Sequence, residues 1–290
     1  MASTSAPALI TKPLPDLASW VRHFRAAELP VLRATARRMA ELNEADTAGP
    51  RDLADVVLGD PLATTRLFAR LAIRRADGDA TTVEGLVMLK GLDRTFALVS
   101  DAPTVEQVLA PHPRALVGFL RVANRARRAA DFARTIAAWR QDVAVEEIGI
   151  AALLHDIGEL LMWALAPTLA LDLAELRAKA PTARSRDLQR RLLGIDLHDL
   201  QLALVREWRL PMLLVALMDD EHADTPRIHN VLHAVDLARH AANGWDDPAL
   251  PDDYKAVAEL LHSDVAFAER VIRGHADGST AMPDRSRTPV

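Results

Sequence analysis

The chain has 290 residues, enough for one large domain or two small ones around a substantial core. Aromatic residues make up only 4 % and Cys is absent, which argues against a sandwich or barrel and excludes disulfide scaffolds, thiolate zinc sites, thiol nucleophiles and iron–sulfur clusters. The formal net charge is −5, and arginine runs such as Arg125, Arg127 and Arg128 have acidic neighbours, so no polyanion-binding groove and no nucleic-acid partner is expected.

Residues 1–15 contain Ser, Thr and Pro but no basic start followed by a long apolar run, so they read as a flexible segment rather than a secretory signal. Helical periodicity then recurs. Leu17, Trp20, Val21 and Phe24 form one stripe, and Leu32, Ala36, Met39 and Leu42 form a second, opened by Pro30. Leu53 to Leu58 predicts a helix closing at Gly59 and Asp60, and Pro61 opens the next. Thr81 with Glu84 has the form of a capping box, its helix ending near Gly91. Short helices are expected from Asp93 and Pro103, and three prolines between Ser100 and Pro113 mark a weak seam. Longer helices are expected at Pro113–Gln141, Val145–Leu165, Thr168–Lys179, Thr182–Leu193, Asp196–Trp208, Pro211–Met218, Pro226–Asn243 and Asp253–His275, the last broken near Ser263. Trp20, Trp163 and Trp208 follow apolar stripes and read as core.

The most apolar stretch, Ile148 to Ala166, has nearly the length of a membrane span but carries His155, Asp156 and Glu159. An acid near a bilayer centre costs roughly 2.5–3.5 kcal/mol even on the lenient insertion scale, so the stretch reads as one buried core helix, with no membrane and a cytoplasmic address. Residues 276–290 read as a flexible tail.

Several segments, taken in order, resemble the HDOD domain, a helical bacterial signalling module. They are Leu29-Pro30-Val31-Leu32, the Leu53 to Leu62 run with its acid-proline junction, and Val87-Met88-Leu89-Lys90-Gly91. Leu153-Leu154-His155-Asp156-Ile157-Gly158, Glu207-Trp208-Arg209-Leu210-Pro211 and Val235-Asp236-Leu237-Ala238 follow. The resemblance spans about Leu29 to Asn243 and implies an all-α, multi-helix fold whose second half is related to HD-type metal phosphohydrolases, usually without their activity. It places an amino-terminal subdomain at 16–102 and an HD-related subdomain at 103–275.

In an active HD site, imidazoles and carboxylates hold one or two divalent metals that turn a bound water into the nucleophile. His155, Asp156 and Asp236 form the set that the resemblance points to. A further family His is expected near Gly118 or Phe119, yet no His lies between His112 and His155. Another falls at Leu197, with His198 one position late, and one residue is a rotation of about 100° on a helix. The site therefore reads as a degenerate remnant with no catalytic residue and no metal ligand assigned, and no cofactor is expected. A buried polar group persists only when paired, so His155 and Asp156 are expected to be a structural pair, with Asp236 as a third member.

His229, His233, Asp236 and His240 sit at i, i+4, i+7 and i+11, within an arc of about 60° on one helical face. With His222 upstream, His229 and His233 are accessory candidates for metal or proton binding; the plainer reading is a half-solvated face opposite Ile228, Val231, Val235 and Ala242. The acidic run Asp219-Asp220-Glu221 reads as a solvated loop. The expectation is a non-catalytic signal-transduction or scaffolding module binding a signalling protein or small ligand. The alternatives are a divalent-metal phosphohydrolase acting on a nucleotide or cyclic dinucleotide, and a ligand sensor that kept the pocket and lost the metal.

Overall fold

In a computed structural model, residues 8–45, 48–71, 80–222 and 225–276 are described, apart from the side chains of His222 and His275. Seventeen α-helices and one 3-10 turn occur among them, with no strand. The fold is all-α, as the periodicity predicts. Two compact units result: one takes Met1–Asn124 and Asp156–Met212, the other Arg125–His155 and Leu213–Val290. The stretch read as 16–102 therefore lies whole in the first unit, while 103–275 is shared by both. The readings on residues 1–7, 72–79 and 277–290 lie outside the described residues.

The first unit begins with α1 (Leu17–Ala26), α2 (Arg33–Ala45), α3 (Pro50–Leu58), α4 (Pro61–Leu71), α5 (Val83–Lys90), α6 (Leu92–Ser100) and α7 (Val105–Val108). The capping residue of α5 is Thr82 rather than Thr81, because extended Thr82 accepts the Gly85 amide on its hydroxyl. A single parallel bridge joins Val31 to Thr104: Val31 N–H donates to Pro103 and Val105 N–H donates to Val31. The acid-proline junction has a specific task. Asp60 is fully buried; one carboxylate oxygen accepts from Leu62 and Ala63 at the start of α4, and the other from Leu32 at 2.7 Å. Burial pushes its carboxyl above the usual range, against the pull of these donors. Arg66 is also buried; it donates to the Leu98 and Leu29 carbonyls and pairs with Glu28.

The long helix α8 (Pro113–Trp139) runs from the first unit into the second, where α9 (Val145–Leu154) follows. The chain returns to the first unit for α10 (Ile157–Leu165), α11 (Pro167–Lys179), α12 (Ser185–Leu193) and α13 (Leu197–Glu207). The expected single helix over 148–166 is thus two helices, broken at His155 and Asp156. Asp156 leaves the helical region at φ −100°, ψ 25°, and His155 N–H falls back to a 3.4 Å bond with Ala152. Gly158 explains the compactness of the restart: a Cβ there would lie 2.7 Å from the Leu197 carbonyl oxygen, so only hydrogen lets α10 seat on α13. Both helices are almost wholly buried, and no single helix among the described residues is long and apolar enough to cross a membrane. Trp20, Trp163 and Trp208 are buried as expected.

The second unit closes with α14 (Met212–Leu217), the 3-10 turn Asp220–His222, α15 (Pro226–Ala241), α16 (Leu250–Leu261) and α17 (Val265–Ala276). The two last helices part at His262, which adopts a left-handed φ of 51°. Ile228, Val231 and Val235 are core, as their arc predicts, whereas Ala242 lies past the end of α15 and is exposed. Asp142 ties the start of α15 to the α8–α9 loop through a two-pronged pair with Arg227 at 2.9–3.0 Å. Burial opposes ionisation of Asp142, but the Arg227 and Ala144 hydrogen bonds outweigh it and hold the carboxyl below its ordinary range.

Candidate functional site

One of the three points at which the chain passes from one unit to the other falls between His155 and Asp156. His155, the cap residue that ends α9, is 7 % exposed, and its Nε2 lies 2.9 Å from Oδ1 of Asp220 on the 3-10 turn. With a carboxylate as acceptor, Nε2 carries the proton and donates. The buried imidazole is therefore paired, as a polar group on this apolar helix must be, but its carboxylate comes from the acidic run read as a solvated loop. That reading of Asp220 is corrected: its side chain is only 28 % exposed.

Asp236, expected as the third member, instead pairs along α15 with Arg239 at 2.9 Å, both side chains about half exposed. Asp156 is half-buried at the start of α10, and its carbonyl accepts the Leu160 amide. The first unit also holds the positions where the resemblance asks for further histidines. Gly118 faces the Trp163 indole so closely that a Cβ would lie 2.5–2.7 Å from three ring carbons, and Phe119 is fully buried. Leu197 is buried, while the His198 backbone amide donates to the capping carboxylate of Asp196.

Among the described residues, no group of three or more His, Asp or Glu side chains is placed to hold a metal ion.

The histidine stripe of α15 is real but divided in use. His229 is exposed and its ring lies 5.8 Å from that of His233, which is half-buried. Burial, then the neighbouring His229, lower the His233 pKa from its ordinary 6.5, although Asp236, Asp253 and Glu259 pull the other way. His240 Nδ1 lies 2.7 Å from Asp253 of α16, a pairing that the sequence pattern did not indicate because it bridges 13 residues and a turn. Burial raises the Asp253 pKa despite that partner. The His222 side chain lies outside the described residues.

The fold is an all-α, multi-helix one with an acid-capped helix junction at Asp60 and an apolar stretch broken at His155 and Asp156. The sequence profile of the HDOD domain matches residues 29–224, and the chain belongs to that family. Among solved structures, the MmoQ response regulator of Methylococcus capsulatus str. Bath superposes with a TM-score of 0.66 at 18 % identity, over 86 % of this chain and 99 % of that one. A virulence factor from Campylobacter jejuni gives 0.64 at 16 % identity, over 91 % and 100 %. No curated protein matches significantly. At such identities the likeness concerns the fold.

Proposed function

We propose that this protein is a non-catalytic, cytoplasmic HDOD module that acts in signal transduction or scaffolding by binding a protein partner or small ligand. The observation that carries the reading is the seat of Gly118 on Trp163: where an HD-type site needs another imidazole, an indole fills the space. The pairing of His155 with Asp220 supports it, because the ring nitrogen nearest a carboxylate is held by this hydrogen bond. The adjacency of His155 and Asp156 favours the second reading, a metal-dependent phosphohydrolase acting on a nucleotide or cyclic dinucleotide.

Hydrolysis assays on cyclic dinucleotides, nucleoside phosphates and simple phosphodiesters, each with manganese, iron(II) or magnesium, separate the two. No turnover above buffer is expected. Turnover that disappears in Asp156→Ala while the melting temperature is kept would restore the enzyme.

A further inference from the structure

The chain contains four asparagines, and only Asn243 precedes a glycine. Asn43, Asn124 and Asn230 lie within α2, α8 and α15 and precede Glu44, Arg125 and Val231. Asn243 and Gly244 instead stand just past the end of α15, whose cap residue is Ala242, and both are exposed. The difference is chemical as well as structural. An asparagine side chain is open to attack by the backbone nitrogen of the next residue, and a Cβ on that residue obstructs the approach; glycine has none. Inside a helix the same N–H is bonded one turn back and the backbone is fixed, which suppresses the attack.

Neither restraint acts at Gly244. It adopts φ 123°, and a Cβ built there would meet nothing within 4 Å. Its N–H donates to the Ala241 carbonyl at 3.3 Å, long for such a bond. The Asn243 side chain is held from one direction, where Nδ2 donates to Asp247 at 2.8 Å. The other oxygen of Asp247 accepts the Ala249 amide at 3.0 Å, at the entry to α16. These two bonds, the Ala249 amide first, hold the Asp247 carboxyl below its ordinary range, so it stays an acceptor.

We infer that Asn243 is a site of spontaneous covalent modification, closing onto Gly244 as a succinimide that opens to aspartate and isoaspartate. Gly244 N yields its proton to solvent base and bonds to Asn243 Cγ; the Cγ–Nδ2 bond then breaks, and ammonia leaves with a proton from solvent. Water next opens the ring. Cleavage between Cγ and the Gly244 nitrogen gives aspartate, and cleavage between the Asn243 backbone carbonyl carbon and that nitrogen gives isoaspartate, whose chain runs through Cγ. One water enters and one ammonia leaves, with no change of oxidation state. Asp247 is the positioning residue: its bond to Nδ2 restricts the side-chain rotation that brings Cγ to Gly244 N, and so slows the closure.

The products bear on the loop between α15 and α16. Either opening puts a carboxylate where an amide donated to Asp247, so a hydrogen bond becomes a repulsion. Isoaspartate also adds a carbon to the backbone. Two residues on, the Trp245 ring lies 5.3 Å from the guanidiniums of both Arg128 and Arg273, and the Trp245 carbonyl accepts from Arg273. Modification therefore adds negative charge and loosens the contacts of Trp245 with α8 and α17, all within the second unit. The inference holds whether or not the module is catalytic.

The test warms the full chain well below its melting temperature, in neutral and in mildly alkaline buffer, and follows it by peptide mapping with mass spectrometry. The peptide holding Asn243 is expected to split into aspartate and isoaspartate forms while those holding Asn43, Asn124 and Asn230 stay intact. The change should be faster in the alkaline buffer, because Gly244 N must lose its proton. Asp247→Asn, which keeps an acceptor for Ala249, should react severalfold faster, and Asn243→Gln, which would need a six-membered ring, should not react measurably. The modified fraction, separated by anion exchange, should melt lower than fresh protein and show a shifted Trp245 indole resonance. A synthetic peptide of residues 237–250 is the reference: Asn243 intact in the protein after the peptide is consumed many times over would overturn the inference. So would modification spread evenly over the four asparagines, or aspartate without isoaspartate, which marks direct hydrolysis. An unchanged rate in an Asp247→Asn chain that keeps its melting temperature would overturn the part given to Asp247; where that variant melts early, a protein that reacts as fast as the peptide does so.

Discussion

Asp60 in the first unit and His155 in the second are both buried polar groups, and they are satisfied in opposite ways. Asp60 is wrapped by backbone: three amides from two segments of the chain converge on its two oxygens. His155 pairs with a side chain, Asp220, carried by a short 3-10 turn that is itself partly open to water. The first arrangement cannot be opened without orphaning amides at two helix starts. A group of the first kind holds several backbone segments at once, and one of the second kind holds a single turn.

The largest expected effect therefore lies at Asp60. Asp60→Ala strands three buried amides, each costing about 1–3 kcal/mol, so a loss of at least about 3 kcal/mol is expected in denaturant unfolding. A loss below that of an ordinary surface change would erase the contrast between the two sites. Next come the two glycines of the first unit. Gly158→Ala drives a methyl into the Leu197 carbonyl and Gly118→Ala drives one into Trp163, overpacking that typically costs about 1–3 kcal/mol. Gly118→His, which would supply the imidazole an HD site lacks, should fold worse than Gly118→Ala; a stable variant that gains metal would mean the indole yields readily.

At the His155–Asp220 pair the effect should be smaller. Asp220→Asn removes the charge but keeps an acceptor for His155, and a double-mutant cycle with His155→Gln should give a coupling of about 0.5–1.5 kcal/mol in thermal or chemical unfolding. Additivity of the two changes would show that the pair contributes nothing beyond its parts. The smallest effect concerns pH. His233 is harder to protonate in the fold than in the unfolded chain, so its contribution to stability is present above its ordinary 6.5 and is lost as the pH falls below it. Melting temperatures between pH 8 and 5 should therefore drop more for the wild type than for His233→Gln.

Local pattern made most helices legible, because capping residues, prolines and 3.6-residue stripes act within a few positions: Pro61, Pro113 and Pro226 each begin a helix as read, while Pro50 and Pro167 begin helices read to start at Leu53 and Thr168. The break at His155–Asp156 escaped notice because apolar residues continue across it on both sides, and periodicity does not register a change of direction. Partners across long loops were equally hidden. Nothing near His155 in the chain points to Asp220, 65 residues away, and the acidic neighbours of Asp220 suggest solvent. The histidine stripe was visible as a face, but its division into an exposed His229, a half-buried His233 and a bonded His240 depended on α16.

The measurement that bears most directly on a binding module without metal is elemental analysis of protein purified without a histidine tag or added metal. The expected result is far less than one equivalent of manganese, iron, cobalt, nickel or zinc per chain, unchanged by Asp156→Ala. About one equivalent in the wild type that is lost in Asp156→Ala, with the melting temperature kept, would contradict it.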